Sequence, residues 1–415
     1  MKEKFSHYIC SICGQKYEPG EVTYTCPKDG GNLDVILDYD SIKRDFSPQR
    51  FMDLPEASLW RYHHLLPVED PGYIGTPLHR AGWTPVYKPL RLSEKLDLRS
   101  LWIKDESPNP TASFKDRASA IVVARAIQIG AEITVAASTG NAGAALAGMA
   151  AAAGTQAVIF APKTAPPAKI AQLLVFGARV LLVDGNYDQA FDLSIQATQE
   201  FGWYNRNTGF NPFSAEGKKT AAFEIWEQVI RPMPQNSKPL TIFIPVGDGN
   251  IISGVHKGFK DLQALGWLEQ MPRIIGVQSE GSAAVANAFH RGDEDILPVQ
   301  ATTLADSISV DLPRDGIRAV RAARETGGTY ITVPDQAILG AITELGQVGI
   351  FAEPAAAAAY AGLVKAVNES IVSPDDPFLV LNTGSGLKDI QAARQAVLDP
   401  PIIEPTLDAV KKVFK

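Results

Sequence analysis

After residue 100 the chain alternates short β-rich runs with longer runs rich in alanine. Runs such as TIFIPVG (241–247) and FLVLN (378–382) are continuously apolar, which is typical of strands covered on both faces. The alternation therefore predicts an α/β fold of two doubly wound domains with mostly parallel sheets. The predicted strands are 101–104, 133–138, 156–161, 179–184, 241–247, 273–278, 329–333 and 378–382. The predicted helices are 114–129, 141–153, 167–176, 187–201, 215–230, 252–264, 282–290, 314–326, 335–347, 354–369 and 386–397.

Composition divides the 415 residues into three segments. Residues 1–45 contain all the cysteines and predict a small ribbon-like segment. Residues 46–240 predict an N-terminal α/β domain, which begins with a connecting segment at 46–100 that is rich in proline and aromatic residues. Residues 241–415 predict a C-terminal α/β domain.

The cysteines lie in two turns, Cys10-x-x-Cys13 and Cys26-Pro-Lys-Asp29. This is the spacing of a zinc ribbon, with Asp29 in the place of the fourth cysteine. His7 is another candidate ligand. Aspartate can bind zinc, but structural sites prefer cysteine and histidine, so zinc is left open and no metal ligand is assigned. An odd number of cysteines, all within the first 26 residues, argues against a disulfide scaffold and predicts a reducing compartment, the cytoplasm.

Charge and hydropathy argue against a nucleic-acid-binding, membrane-bound or secreted protein. A net charge of −7 does not favour nucleic acid or an anionic membrane as partner. The first residues lack an apolar run, so no signal peptide is expected. The most apolar stretch, 143–162, is interrupted at 154–156, and a buried helix followed by a buried strand explains it better than a membrane span.

Three predicted strands end in loops rich in glycine and small polar residues. Ligands of open α/β sheets bind beyond such strand ends. The loop ASTGNAG (137–143) precedes a helix and could hold a carboxylate or phosphate, or simply cap that helix. The loop PVGDGN (245–250) suits a single phosphate, because it lacks the glycine spacing of dinucleotide sites and the lysine of a P-loop. In NTGSGLKD (382–389), hydroxyls could bond a ligand or cap the last helix.

Lys115 stands in SPNPTASFKDRAS (107–119), at the start of a predicted helix. The positive end of the helix dipole disfavours an ammonium there, so this lysine is either exposed and paired with Asp116 or chemically used. In isolation the first alternative is favoured. Beside a phosphate loop and a carboxylate cradle the balance reverses, because a Schiff-base lysine needs a partly dry site that lowers its pKa. Together these parts fit pyridoxal phosphate.

These motifs also carry a family resemblance. The chain resembles threonine synthases, in the tryptophan-synthase-β-like group of pyridoxal phosphate enzymes (fold type II). The matching stretches recur in family order from about residue 58 to 395, and they are NPTASFKDR, STGNAG, NTGFNP, EGKKTAAFEIWEQ, PVGDGN, FAEPAAAAAYAGL and TGSGLKD. The resemblance implies conversion of O-phospho-L-homoserine and water to L-threonine and phosphate, by a homodimer that acts on a small amino acid.

The resemblance also implies roles for single residues. Lys115 would bind the cofactor as a Schiff base, Asn141 would bond its phenolic oxygen and Thr383 would meet its pyridine nitrogen. Ser138 and Thr139 would hold the α-carboxylate of the substrate. The cofactor phosphate would be held by Gly247, Asp248, Gly249, Asn250 and Ile251.

The chain departs from the family pattern at several positions. Ala112 replaces a glycine, which is a mild change, and Ser385 replaces histidine or asparagine. Ser214 stands where the family has an arginine that binds the phosphate of the substrate, and serine cannot supply that charge. The cations that could compensate are Lys104, Arg206, Lys218 and Lys219, and of these Lys104 is assigned to the substrate site.

The departures leave other functions open. A serine/threonine ammonia-lyase, or a replacement enzyme that uses phosphoserine and a sulfur nucleophile, would keep the cofactor and change the reaction. Ammonia-lyases usually have a longer glycine run than GDGN in the phosphate loop. A non-catalytic, ligand-sensing relative is disfavoured by the intact Lys115.

Overall fold

The computed structural model describes residues 5–165 and 167–414. The strands are β1 Phe5–Cys10, β2 Lys16–Tyr17, β3 Leu33–Leu37, β4 Val86–Tyr87, β5 Ser100–Asp105, β6 Ile133–Ala137, β7 Gln156–Pro162, β8 Arg179–Val183, β9 Tyr204–Asn205, β10 Thr241–Pro245, β11 Arg273–Ser279, β12 Thr329–Val333 and β13 Pro377–Asn382. The α-helices are α1 Tyr39–Asp45, α2 Pro48–Met52, α3 Pro77–Arg80, α4 Leu90–Lys95, α5 Lys115–Gln128, α6 Asn141–Ala153, α7 Pro167–Val175, α8 Tyr187–Phe201, α9 Phe213–Lys218, α10 Thr220–Ile225, α11 Asn250–Ala264, α12 Ala284–Arg291, α13 Gly316–Glu325, α14 Asp335–Gly346, α15 Pro354–Asn368, α16 Ile390–Gln395 and α17 Leu407–Val413.

Two mostly parallel sheets dominate the structure. The large sheet has the order β12-β11-β10-β13-β5-β4, and its edge strand β4 is antiparallel to β5. The small sheet has the order β8-β7-β6-β9, with every pairing parallel. A third, antiparallel sheet, β2-β1-β3, forms the ribbon-like N-terminal segment. The predicted fold class is confirmed.

The large sheet crosses the boundary predicted at residue 240. Strand β5 pairs with β13 over six positions, from Ser100 opposite Pro377 to Asp105 opposite Asn382. Residues 46–240 therefore contribute β4 and β5 to the large sheet, and the small sheet is built only from strands between residues 133 and 205. The chain leaves the large sheet after β5 and returns to it at β10, an excursion that a linear division of the sequence misses.

The segment 46–100 is more ordered than the predicted connection. It contains α2, α3, α4, β4 and a 3₁₀ helix at Leu59–Leu65. Its aromatic residues are anchored in the core: Trp60 and Tyr62 are buried, and the indole of Trp60 donates to the Leu78 carbonyl at 3.2 Å. The helix predicted at 215–230 is divided into α9, α10 and a π-helical turn at Trp226–Ile230.

The alanine-rich runs form buried helices. In α15, the residues Ala355 to Ala359 are all buried, and a Cβ on Gly362 would lie 2.4 Å from Val277 of β11. Small side chains thus let the helix backbone lie directly against the sheet. Stretch 143–162 is α6 and β7, as predicted. Among the described residues, no helix combines the length and the apolar character that a membrane crossing requires.

Candidate active site

The predicted strand-end loops meet at one cavity of about 430 Å³. The loops that follow β6, β10 and β13 line it, together with the first residue of α5. The loops come from both sheets, and each follows the carboxyl end of a parallel strand, where α/β sheets bind ligands. The sequence-predicted residues that line the cavity are Lys115, Ser138, Thr139, Asn141, Gly247, Asp248, Gly249, Asn250, Ile251 and Thr383.

Lys115 is held as a reactive amine. Burial lowers the pKa of Lys115 to about 8, against the opposite effect of the Glu353 carboxylate. Asp116 is not its partner, since that carboxylate accepts from the Thr111 amide at 2.6 Å and also from the Thr111 hydroxyl. A substantial fraction of the amine is therefore neutral near physiological pH, as a nucleophile or a base requires.

The loop before Lys115 is fixed to the end of β13. The Phe114 amide donates to the Thr383 carbonyl at 2.8 Å, and the Ser385 amide donates to the Ala112 carbonyl at 3.1 Å. The lysine and the hydroxyl of Thr383 are thus placed on one rigid unit. Ser385 caps the following 3₁₀ turn by accepting from the Leu387 amide at 3.3 Å.

Ala112 adopts a left-handed conformation, with φ of +63°. The family glycine would adopt this conformation without strain, whereas a Cβ disfavours it. We expect Ala112→Gly to raise the free energy of unfolding by about 1 kcal/mol, measured by chemical denaturation. The control Ala151→Gly, at an exposed position in α6, should lower it by up to about 1 kcal/mol. Equal destabilisation by both changes would contradict the role assigned to the backbone of Ala112.

The loop 247–250 forms a cradle for an anion. Gly249 has φ of +91°, and a Cβ on it would lie 2.6 Å from the Asp315 carbonyl oxygen. A Cβ on Gly247 would lie 2.8 Å from the Cα of Ile308. Glycine is therefore required at both positions. The loop opens the 15-residue helix α11, whose free backbone amides and positive dipole end favour a phosphate.

Two buried cations face the same cavity. Burial lowers the pKa of Arg206 to about 10, and burial together with neighbouring cations lowers the pKa of Lys218 well below its ordinary value. Lys218 donates to the Asn250 side-chain oxygen at 2.5 Å. Nη2 of Arg206 is buried, and within the described part of the chain it has no hydrogen-bond partner. The carboxylate of Asp248 lines the same cavity and opposes the lowering of both pKa values, but among the described residues neither cation forms an ion pair. Desolvated cations without an ion-pair partner favour a bound anion.

Three other residues that the sequence analysis singled out for the substrate phosphate, Lys104, Lys219 and Ser214, form contacts elsewhere in the protein. Lys104 does not reach the cavity, because its ammonium donates to Glu224 and to the Thr84 carbonyl, both at 2.6 Å. Its assignment to the substrate site is therefore not supported by the geometry. Lys219 is engaged by Asp261 at 2.9 Å. Ser214 donates to the Arg206 carbonyl at 3.0 Å and so supports the backbone of that arginine.

Glu353 also lines the cavity, and sequence reasoning gave it no role. Its carboxylate accepts from the Asn141 amide nitrogen at 2.8 and 3.1 Å. Burial raises the pKa of Glu353. A Cβ on Gly384 would lie 2.5 Å from its Oε1, so the glycine makes room for the carboxylate. The sequence signal that could have identified Glu353 is its position as a charged residue directly before the apolar helix α15.

Comparison with known proteins decides the family. A family model described as pyridoxal-phosphate dependent enzyme matches residues 78–384. The chain belongs to the pyridoxal-phosphate dependent enzymes. Among these enzymes it is similar to the threonine synthase of Methanocaldococcus jannaschii, with 36% identity over 409 residues, and to that of Methanosarcina acetivorans, with 38% identity over 412 residues. Each match covers 98% of both chains, so the chain belongs to the threonine synthase family.

A solved structure shows the same fold. The processed form of threonine deaminase isoform 2 from Solanum lycopersicum matches with a TM-score of 0.64 and 21% sequence identity. The match covers 78% of this chain and 90% of that chain. At this identity the likeness concerns the fold alone, which is that of fold type II pyridoxal phosphate enzymes.

The cavity fits pyridoxal 5'-phosphate. Lys115 offers an amine with a lowered pKa to an aldehyde. The cradle before α11 admits only glycine at 247 and 249, where a phosphate needs close approach to the backbone. Thr383 lines the cavity directly after β13, the parallel neighbour of β10, and a ring nitrogen could accept from its hydroxyl.

Proposed function

We propose that this cavity carries out the threonine synthase reaction: O-phospho-L-homoserine and water give L-threonine and phosphate by β,γ-replacement. The observation that carries the proposal is the pair of desolvated cations, Arg206 and Lys218, in the same cavity as Lys115. The backbone cradle alone suffices for the phosphate of the cofactor. The cations add the capacity for a second phosphate, that of the substrate.

The cofactor would be held by the residues that the family resemblance indicated. Lys115 would bind its aldehyde carbon, residues 247–251 its phosphate, Asn141 its phenolic oxygen and Thr383 its ring nitrogen. When bound, pyridoxal phosphate supplies an electron-accepting ring that stabilises negative charge on the substrate. Glu353 holds the amide of Asn141 and fixes its orientation.

Lys115 would move the protons of the reaction. Once released from the cofactor, its amine would take a proton from Cα of the substrate and exchange protons at Cβ. A pKa of about 8 keeps both its protonation states populated near neutral pH, which suits a group that accepts and then donates a proton.

Ser138 and Thr139 would orient the substrate. They precede α6, whose N-terminus favours the α-carboxylate. Ser138 is nearly buried, and its hydroxyl accepts from the Gly140 amide at 3.2 Å, which shapes the loop. The hydroxyls and backbone amides of this loop would hold the carboxylate while Lys115 acts at Cα.

Arg206 would bind the phosphate that leaves the γ-carbon. We expect Arg206→Gln to raise KM for phosphohomoserine about 10- to 100-fold, because one charge-assisted hydrogen bond contributes about 1.5–3 kcal/mol. Arg206→Lys should recover part of the loss. Steady-state kinetics of both variants, with the exposed Arg179→Gln as matched control, measures this. An unchanged KM in Arg206→Gln would place the substrate phosphate elsewhere.

The test of the function is a product assay with the cofactor-loaded protein and O-phosphohomoserine. We expect threonine and phosphate in equal amounts. Accumulation of 2-oxobutyrate would indicate an ammonia-lyase instead. If no phosphate is released, phosphoserine with a sulfur nucleophile is the next substrate pair to try.

We also propose that the enzyme is a cytoplasmic homodimer. The three cysteines are all free, in keeping with a reducing compartment.

The proposed dimer is supported by apolar side chains on the surface. Near the C-terminus, Leu398, Ile402 and Phe414 are 94%, 100% and 86% exposed, which favours their burial against a second copy. Light scattering coupled to size-exclusion chromatography tests the dimer, and a monomeric mass would contradict it.

A further inference from the structure

We propose that Cys10, Cys13, Cys26 and Asp29 bind a structural zinc ion. Their ligand atoms all lie within 4.8 Å of one another. The sulfurs of Cys13 and Cys26 are 3.8 Å apart, and the sulfur of Cys10 is 3.3 Å from Oδ1 of Asp29. A tetrahedral zinc with Zn–S bonds of about 2.3 Å separates two sulfurs by about 3.8 Å. The side chains therefore already surround a site of the right size.

The backbone presents these four residues as two matching turns. In the first turn the Gly14 amide donates to the Cys10 carbonyl at 3.0 Å, and in the second the Gly30 amide donates to the Cys26 carbonyl at 2.9 Å. Both glycines are left-handed, with φ of +70° and +71°. Asp29 thus occupies in the second turn the position that Cys13 occupies in the first. The conformation is repeated although the fourth ligand is a carboxylate.

Further contacts support anionic ligand atoms at these positions. The Ile12 amide donates to the sulfur of Cys10 at 3.3 Å, and the Gly31 amide donates to Oδ1 of Asp29 at 2.9 Å. The hydroxyl of Tyr17 lies 3.0 Å from the sulfur of Cys26. Donors of this kind orient metal ligands and stabilise their charge. A Cβ on Gly31 would lie 2.7 Å from the sulfur of Cys10, so the glycine keeps the cluster open.

The ligand chemistry selects zinc. The Cys13–Cys26 separation far exceeds a disulfide bond of about 2.05 Å, and all three thiols are free. Three thiolates exclude magnesium and calcium, which prefer oxygen ligands. A closed set of four protein ligands is the arrangement of structural zinc rather than of a catalytic metal.

The cluster is connected to the cofactor cradle. Asn32, close after Asp29, donates to the Arg314 carbonyl at 2.9 Å and to Oδ1 of Asp315 at 3.2 Å. Asp315 in turn accepts from the side chain of Asn250 at 2.6 Å. The zinc would therefore hold Asn32 in place and, through Asp315, stabilise the first residue of α11.

The test is the zinc content of the full-length holoenzyme, measured by inductively coupled plasma mass spectrometry after expression with added zinc. We expect about one zinc per chain in the wild type and in Asp29→Cys, which completes a four-cysteine site. Cys13→Ser and Asp29→Ala should lose zinc to a chelator far faster. Lys28→Ala, an exposed neighbour in the same turn, is the control and should match the wild type.

A wild-type protein without zinc above the buffer background would overturn the proposal. Cobalt substitution of the wild type gives a result that is independent of how the variants fold: tetrahedral thiolate coordination gives intense visible bands, and their absence would also refute the site. If Asp29→Ala retains zinc as long as the wild type does, Asp29 is not a ligand.

Chelation tests the connection to the cradle. We expect the zinc-depleted protein to release pyridoxal phosphate faster than the zinc-loaded protein, followed by the absorbance of the released cofactor. Equal release rates would refute the path through Asn32 and Asp315.

Discussion

Lys115→Ala is expected to abolish threonine formation, lowering kcat by at least about 10³-fold. This lysine would both bind the cofactor and move the protons, so its loss removes two functions together. Its neighbours cannot replace it, because Lys218 is bonded to Asn250 and Lys219 to Asp261. The loss should fall on kcat, since the carboxylate and phosphate sites of the substrate remain.

Covalent attachment of the cofactor separates this role from a structural one. After borohydride reduction, mass spectrometry should find the cofactor on the peptide that contains Lys115 in the wild type, and no such adduct in Lys115→Ala. The control Lys238→Ala, on the surface and paired with Asp376 at 2.6 Å, should be labelled like the wild type. An active Lys115→Ala variant labelled at another lysine would contradict the assignment.

The attachment should also depend on pH in a defined way. Because burial lowers the pKa of Lys115 to about 8, the neutral, nucleophilic amine is populated above that pH. The rate at which the apoprotein takes up the cofactor should therefore rise with pH and level off above about 8. A midpoint at the ordinary pKa of lysine, about 10.4, would show that the amine is not desolvated.

Arg117→Met is expected to lower the free energy of unfolding by about 3–5 kcal/mol. The guanidinium of Arg117 lies between two buried carboxylates: it donates to Glu106 at 2.7 and 2.9 Å and to Glu224 at 2.5 and 2.8 Å. Methionine fills a similar volume but leaves the carboxylates with one buried cation, Lys104. Burial opposes ionisation of Glu224, yet Arg117 and Lys104 lower its pKa to about 2, so the charged state of this carboxylate depends on the two cations.

Chemical denaturation of the cofactor-loaded protein measures this loss. The control is Arg394→Met, which breaks an exposed ion pair with Asp399 at 3.0 Å and should change the free energy of unfolding by less than about 1 kcal/mol. Similar small effects of both substitutions would show that the buried network contributes little. The position of Arg117, two residues after Lys115 on α5, means that the network also fixes the start of that helix.

Much of the fold could be predicted because buried parallel strands appear in the sequence as continuous apolar runs. The apolar runs at 133–138 and 378–382 became β6 and β13 with small changes at their ends. Strands β10 and β13 are parallel neighbours in the large sheet, so the loops after them had to meet at one edge of that sheet. Asn141 follows β6 of the small sheet, and its prediction at the same site as Thr383 came from the family resemblance.

The remaining features depend on tertiary pairing that the local sequence does not encode. Strand β5 could belong to either sheet by its composition, and only its pairing with β13 assigns it to the large one. Lys104 was assigned to the substrate as a cation that could compensate for the arginine replaced by Ser214, but Glu224, on a distant segment, engages it. Arg206 was one of four candidate cations, and its unpartnered Nη2 within the described residues distinguishes it from Lys104 and Lys219.

The reaction in ¹⁸O-labelled water tests the central claim most directly. A replacement enzyme breaks the carbon–oxygen bond of the phosphate ester and adds water at the β-carbon. We therefore expect the label in the hydroxyl of threonine, none in the released phosphate, and one threonine for each phosphate. Label in the phosphate, with homoserine as the other product, would mean that this cavity hydrolyses the ester and is not the site of threonine synthesis.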